Sequence, residues 1–141
     1  MHYSGNWMFK KIHVFRVMPD KEIVSEINRY CAENKIKSGV VLNIIGSLKS
    51  LKLGFLKKLP ANYITKEFRG PLEIVSGQGS IAMLDKDVVL HIHLTASNED
   101  KTISGHLSEG MIFSTAEVVI GELKYPLKRK KDDYTGLNEL I

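Results

Sequence analysis

Val88-Val89-Leu90-His91-Ile92-His93-Leu94-Thr95-Ala96-Ser97-Asn98-Glu99-Asp100-Lys101-Thr102-Ile103-Ser104-Gly105-His106-Leu107 is a pair of β-prone runs around a short polar break. Side chains alternate along a strand, so His91 and His93 share one face while Leu90, Ile92 and Leu94 share the other, the core side. With Glu99-Asp100 at the centre of a tight hairpin, His106 falls opposite His93 and Ser108 opposite His91. Directly opposed Cβ atoms lie about 4.5–5.5 Å apart and diagonal ones about 7–8 Å. Three imidazoles at such spacings can converge on one ion at about 2.0–2.1 Å per nitrogen. A three-histidine set suits zinc or another borderline divalent metal and leaves one position open for a ligand. The alternative is three hydrated or hydrogen-bonded histidines on a polar face or at a subunit interface.

Working outward from this hairpin, Phe9 to Val17 reads as a strand with apolar residues on both faces, ended by Met18-Pro19-Asp20. Asp20 is a suitable N-cap, and apolar positions at Ile23, Ile27, Tyr30, Cys31 and Ile36 predict one amphipathic helix over about residues 21–35. Val40 to Ile45 is almost wholly apolar and β-branched, as in a strand covered on both sides. Gly46-Ser47 is expected to break it, with a second strand from Leu48 to Phe55, a loop from Lys57 to Asn62 and a short β-prone stretch from Tyr63 to Phe68. Arg69-Gly70-Pro71 reads as a turn. Leu72 to Ser76, Ser80 to Leu84 and Met111 to Leu123 complete the strands. Gly77-Gln78-Gly79 reads as a turn or bulge, since it lacks the pattern and the following helix of a phosphate-binding loop. Closely spaced strands after one leading helix predict an α+β domain with a mostly antiparallel sheet and the helix packed on it.

The chain's 141 residues, 43% of them hydrophobic, suit a single core. One cysteine cannot form an internal disulfide, so Cys31 reads as a small buried hydrophobe in a reducing cytoplasm. Met1 to Asn6 lacks the pattern of a signal peptide, and no stretch approaches the ~20 apolar residues of a membrane span. A net charge of +4 and a pI of about 9.1 permit an anionic partner. Much of that charge is local. Lys128, Arg129, Lys130 and Lys131 form a basic run followed at once by Asp132 and Asp133, which reads as a solvated tail, with nucleic-acid contact as the competing reading. Asp132 to Ile141 is either a loose tail or a docking segment using Leu137, Leu140 and Ile141.

Five motifs in order, Gly46-Ser47-Leu48, Gly70-Pro71-Leu72-Glu73-Ile74-Val75-Ser76, Leu90-His91-Ile92-His93-Leu94, Gly105-His106-Leu107 and Thr115-Ala116-Glu117-Val118-Val119-Ile120, resemble the plants-and-prokaryotes conserved domain. The resemblance covers about residues 11–123, and the expected organisation is a domain over 9–124 with a basic C-terminal tail over 125–141. It implies a curved, largely antiparallel sheet and a homotrimer. In plants the domain is joined to an AT-hook, a basic Gly-Arg-Pro element that reads DNA in the nucleus. This sequence has no Arg-Gly-Arg-Pro, and its Arg69-Gly70-Pro71 lies between strands, so the resemblance implies the stand-alone type with a DNA-binding or regulatory role.

Glu73 and Glu117 match family motif positions and, flanked by apolar residues, are expected to need partners in the sheet or a subunit interface, with a catalytic base as the alternative. Met111-Ile112-Phe113 and Val118-Val119-Ile120 place apolar residues at adjacent positions, so both faces of their strands need cover that one helix cannot supply, which also points to a homotrimer. His2 and His13 stand outside the cluster and read as surface or ordinary strand residues. No nucleophile with an activating neighbour presents itself. The competing functions are therefore a trimeric DNA-associated regulator, a metal- or small-ligand-binding protein with enzymatic activity left open, and a pure assembly platform whose histidines fill a polar interface.

Overall fold

Alternation and β-branching carry most of this chain into strands. The computed structural model describes residues 7–141; His2 lies outside them. Strand β1 (Phe9–Val17) leads to α1 (Ile23–Glu33), followed by β2 (Gly39–Lys58), β3 (Asn62–Leu84), β4 (Asp87–Ser97), β5 (Thr102–Leu123), β6 (Lys128–Lys131) and β7 (Asn138–Leu140). The sheet runs β1-β5-β2-β3-β6-β7, and β4 pairs with both β3 and β5. Every pairing is antiparallel except β3 with β6. The fold is thus α+β, mostly antiparallel, with one helix among the described residues. Because β5 pairs with β2 along one stretch and with β4 along another, while β3 pairs with both, the sheet curls on itself.

The helix buries Ile23, Ile27 and Cys31 at four-residue spacing, against a core that includes Leu48, Leu94, Ile112 and Ile120. Burial pushes the Cys31 thiol up to about 11, as suits a packing residue. The N-cap is Glu22, not Asp20. Its carboxylate accepts from the Val24 and Ser25 amides and also from that of Gly110, so the same group caps the helix and ties it to β5. Asp20 instead takes a left-handed backbone and pairs with Lys49.

Three expected breaks lie inside strands. Gly46-Ser47 sits within β2, where an added Cβ at Gly46 would meet the Thr115 carbonyl oxygen of β5 at 2.1 Å. Arg69-Gly70-Pro71 sits within β3 at a register shift, where one residue between Leu48 and Ser50 faces two between Arg69 and Leu72. Gly77-Gln78-Gly79 is likewise continuous strand, and its glycines admit the close passage of Ile44 and of the β4 backbone. These glycines are needed for strand-to-strand approach rather than for turns.

The chain end is docked. Residues of β6 pair with β3 at Met83 and Leu84, β7 folds back on β6, and the Ala61 amide donates to the Thr135 carbonyl. Lys128, Lys130 and Lys131 are solvated, as the charge run implied, but their backbone belongs to the sheet. No helix of the described residues is long and apolar enough to cross a membrane. Ile12, Val14, Ile45, Val75 and Phe113 are exposed, Val14 at 68% and Val75 at 55%.

Candidate metal centre

A two-residue turn sets the register of the site. The Asn98 side chain accepts from the Asp100 and Lys101 amides, and the Asn98 amide donates to the Lys101 carbonyl, which centres the hairpin on Glu99-Asp100. Ser97 then opposes Thr102, and the ladder runs to His93 opposite His106. It stops there. His91 pairs with Ser80 of β3 and not with Ser108, because β5 turns away to join β2, where His106 opposes Gly54. The buried Ile92, Leu94 and Ala96 occupy the other face of β4.

The three imidazoles meet, with ring centroids 5.0 Å apart for His91–His93, 5.1 Å for His91–His106 and 5.6 Å for His93–His106. One ligating nitrogen from each lies within 4.8 Å of the others. His91 Nε2 and His93 Nε2 stand 3.2 Å apart. Two nitrogens at about 2.0–2.1 Å from one tetrahedral ion are separated by about 3.3 Å, so this pair already has the spacing of ligands. His106 Nδ1 is buried with no hydrogen-bond partner among the described residues. A Cβ at Gly54 would touch His106 in ordinary contact at 3.7 Å but press on Tyr63 at 3.3 Å.

The electrostatics favour the neutral form at His91 and His106. Burial, then the positive charge of His106, Arg129 and His93, pushes His91 down to about 4, with Glu139 opposing. Burial and then His93 lower His106 in the same direction. Neutral imidazoles keep a lone pair on one nitrogen and are the form that binds metal.

Other residues singled out from the sequence are dispersed. Glu73 and Glu117 are exposed, opposite Ser47 and Arg16, and no hydrogen bond or ion pair reaches either among the described residues. In the single chain they are therefore not the buried carboxylates that their apolar neighbours suggested. His13 is buried at 5% and bridges Tyr30 Oη at 3.2 Å and Glu122 Oε2 at 3.1 Å, so it is a strand residue but not a surface one. Burial raises the Glu122 carboxyl, yet hydrogen bonds from Lys10 and His13 outweigh it and hold the group below its usual range. Arg129 leaves the basic run altogether: its side chain turns toward the histidines and bonds Ser80, the partner of His91. Alternation along β6 was the one sign of this in the sequence, and the parallel pairing with β3 that gives it meaning is long-range.

The sequence profile of the Plants and Prokaryotes Conserved domain matches residues 6–124. The chain belongs to this family. Among solved structures this family member is similar to a metal-containing protein from Archaeoglobus fulgidus, at 26% identity and a TM-score of 0.92 over 99% of both chains. It is also similar to a candidate DNA-binding protein from Bacteroides thetaiotaomicron, at 29% identity and a TM-score of 0.87 over 96% of both. Among curated proteins it is 32% identical over 133 residues, 92% of this chain, to the bifunctional protein GlmU of Synechococcus sp. strain JA-3-3Ab. It spans only 20% of that protein's length, so the match concerns one segment of a larger molecule.

Proposed function

We propose that this Plants and Prokaryotes Conserved domain protein binds a divalent metal, zinc or a similar borderline ion, through His91, His93 and His106, and uses the metal's remaining position to hold a small ligand. The observation that carries the reading is the 3.2 Å separation of the His91 and His93 Nε2 atoms, with His106 completing the set. No protein group among the described residues competes for the buried His106 Nδ1, which adds to the reading. The metal-containing relative of A. fulgidus supports the same reading. A metal held by three neutral imidazoles supplies a Lewis-acidic position. Elemental analysis of protein purified without a histidine tag is expected to find about one metal per chain, and His93→Ala/His106→Ala is expected to abolish binding. Unchanged zinc affinity in that double variant would falsify the assignment.

The exposed apolar residues Ile12, Val14, Ile45 and Val75 support a homotrimer that covers them, with Glu73 and Glu117 at its interface. Light scattering at micromolar concentration is expected to give three times the chain mass; the single-chain mass refutes it. The unpaired, buried Cys31 supports a cytoplasmic setting. Residues 9–124 form the domain in this reading, with 125–141 an appended element.

A second reading, DNA binding in a regulatory role, draws on the B. thetaiotaomicron relative and on the solvated Lys128, Lys130 and Lys131. Arg129 is turned inward, which divides the basic run. Duplex DNA titrations at two salt concentrations test it, because a phosphate-binding surface must lose affinity steeply with salt.

A further inference from the structure

A cavity of about 250 Å³ opens beside the histidines. Val89 and Leu137 supply apolar lining, and Tyr63, His91, His106, Arg129, Asn138 and Glu139 supply polar positions. Arg129 is fixed in place. Its Nη2 donates to Ser80 Oγ at 2.8 Å and its Nη1 to the Asn138 carbonyl at 2.7 Å, and Ser80 is the cross-strand partner of His91. A guanidinium carries five N–H donors, so these two bonds leave others unused. Its Nε is buried and has no partner among the described residues. Both acceptors are neutral. Glu139 is close enough to act on the Arg129 charge, but no ion pair joins them among the described residues. Glu139 shares the cavity without forming an ion pair, so Arg129, held by two neutral acceptors beside the histidine cluster, keeps guanidinium donors for an organic anion.

We propose that this cavity is the binding site for a small organic acid, whose carboxylate is held by Arg129 and directed toward His91 and His106 while its short apolar body lies against Val89 and Leu137. At about 30 Å³ per water, the cavity has the volume of about eight waters, which suits a small organic acid. The proposal rests on the metal reading for only one of the carboxylate's partners; Arg129 is the other.

Cobalt(II)-loaded protein and metal-free protein are each titrated with butyrate and, separately, with phosphate. Visible absorption reads the cobalt site, and calorimetry reads binding to the metal-free form. Butyrate is expected to change the cobalt spectrum saturably, and Arg129→Gln is expected to keep its cobalt while binding butyrate at least about tenfold more weakly, the loss of one charge-assisted hydrogen bond. If Arg129→Gln does not fold, Arg129→Lys, which keeps the charge but lacks the planar fork, is expected to show the same loss. Failure to bind cobalt overturns the metal reading alone, and the calorimetric arm then decides whether the acid site stands. The acid site is overturned if wild type binds no butyrate in either form, if phosphate binds more tightly than butyrate, or if the folded Arg129 variants bind butyrate as wild type does.

Discussion

Gly79→Ala places a methyl group between β3 and β4 at the rung beside His91. Gly79 opposes Ile92 on β4 and Val41 on β2. A Cβ added there would lie 2.0 Å from the His91 carbonyl oxygen and 2.8 Å from Ile92 Cα, both backbone atoms that no rotamer change can remove. Since such contacts do not fall below 3.0 Å, the strands must part locally by about 1 Å. Overpacking costs about 1–3 kcal/mol and each weakened cross-strand hydrogen bond about 0.5–1.5 kcal/mol, so roughly 2–5 kcal/mol is expected. For a chain of this size, at about 3 °C per kcal/mol, the melting temperature falls by roughly 6–15 °C. Gly77→Ala is the control. Its Cβ would approach Ile44 side-chain atoms at 3.0 Å, a far milder overlap than the 2.0 Å from backbone at Gly79, so a loss of about 3 °C is expected. Circular dichroism melts in chelator measure both variants, and a zinc titration of Gly79→Ala measures how far His91 has moved from its partners. The reasoning is refuted if Gly79→Ala melts within about 2 °C of wild type, or if Gly77→Ala is the more damaging change.

Acidification is expected to destabilise the metal-free protein. His91 titrates at about 4 when folded and near 6.5 when unfolded, so between those values the unfolded chain binds more protons and stability falls as pH falls. His106 shifts in the same direction, and His91→Asn should flatten the slope of melting temperature against pH; equal slopes in the two proteins contradict this. Glu22→Ala removes the acceptor of three backbone amides, those of Val24, Ser25 and Gly110, and urea unfolding should show a loss of about 2–3 kcal/mol, against about 1 kcal/mol for an ordinary cap. Truncation after Leu127 removes β6 and β7, which join the rest through two register pairs and the Ala61–Thr135 and Arg129–Ser80 hydrogen bonds, so the remainder should fold with a melting temperature lowered by less than about 5 °C. A larger fall would show that the hairpin is integral to the core.

The local physics of the chain determined its helix, the α+β class and the pairing of His93 with His106. Each is set by short-range alternation, by the 3.6-residue period or by a tight turn whose two strands are adjacent in sequence. The resemblance to the Plants and Prokaryotes Conserved domain rested on the same motifs and agrees with the match over residues 6–124. What the sequence left open depended on partners far along the chain. Gly46, Gly77 and Gly79 look like turn residues until the strands that pass over them are known, because a glycine needed for close approach and one needed for a turn have the same letter. Asp20 and Glu22 are both credible caps, and the Gly110 amide of β5, 88 positions away, is part of what occupies Glu22. Arg129 reads as one of four basic residues in a tail. Only the parallel pairing of β6 with β3 sets it on Ser80, and only the curl of the sheet brings Ser80, His91 and His106 to one cavity, since burial and long-range pairing, not local propensity, decide where a charged side chain can rest.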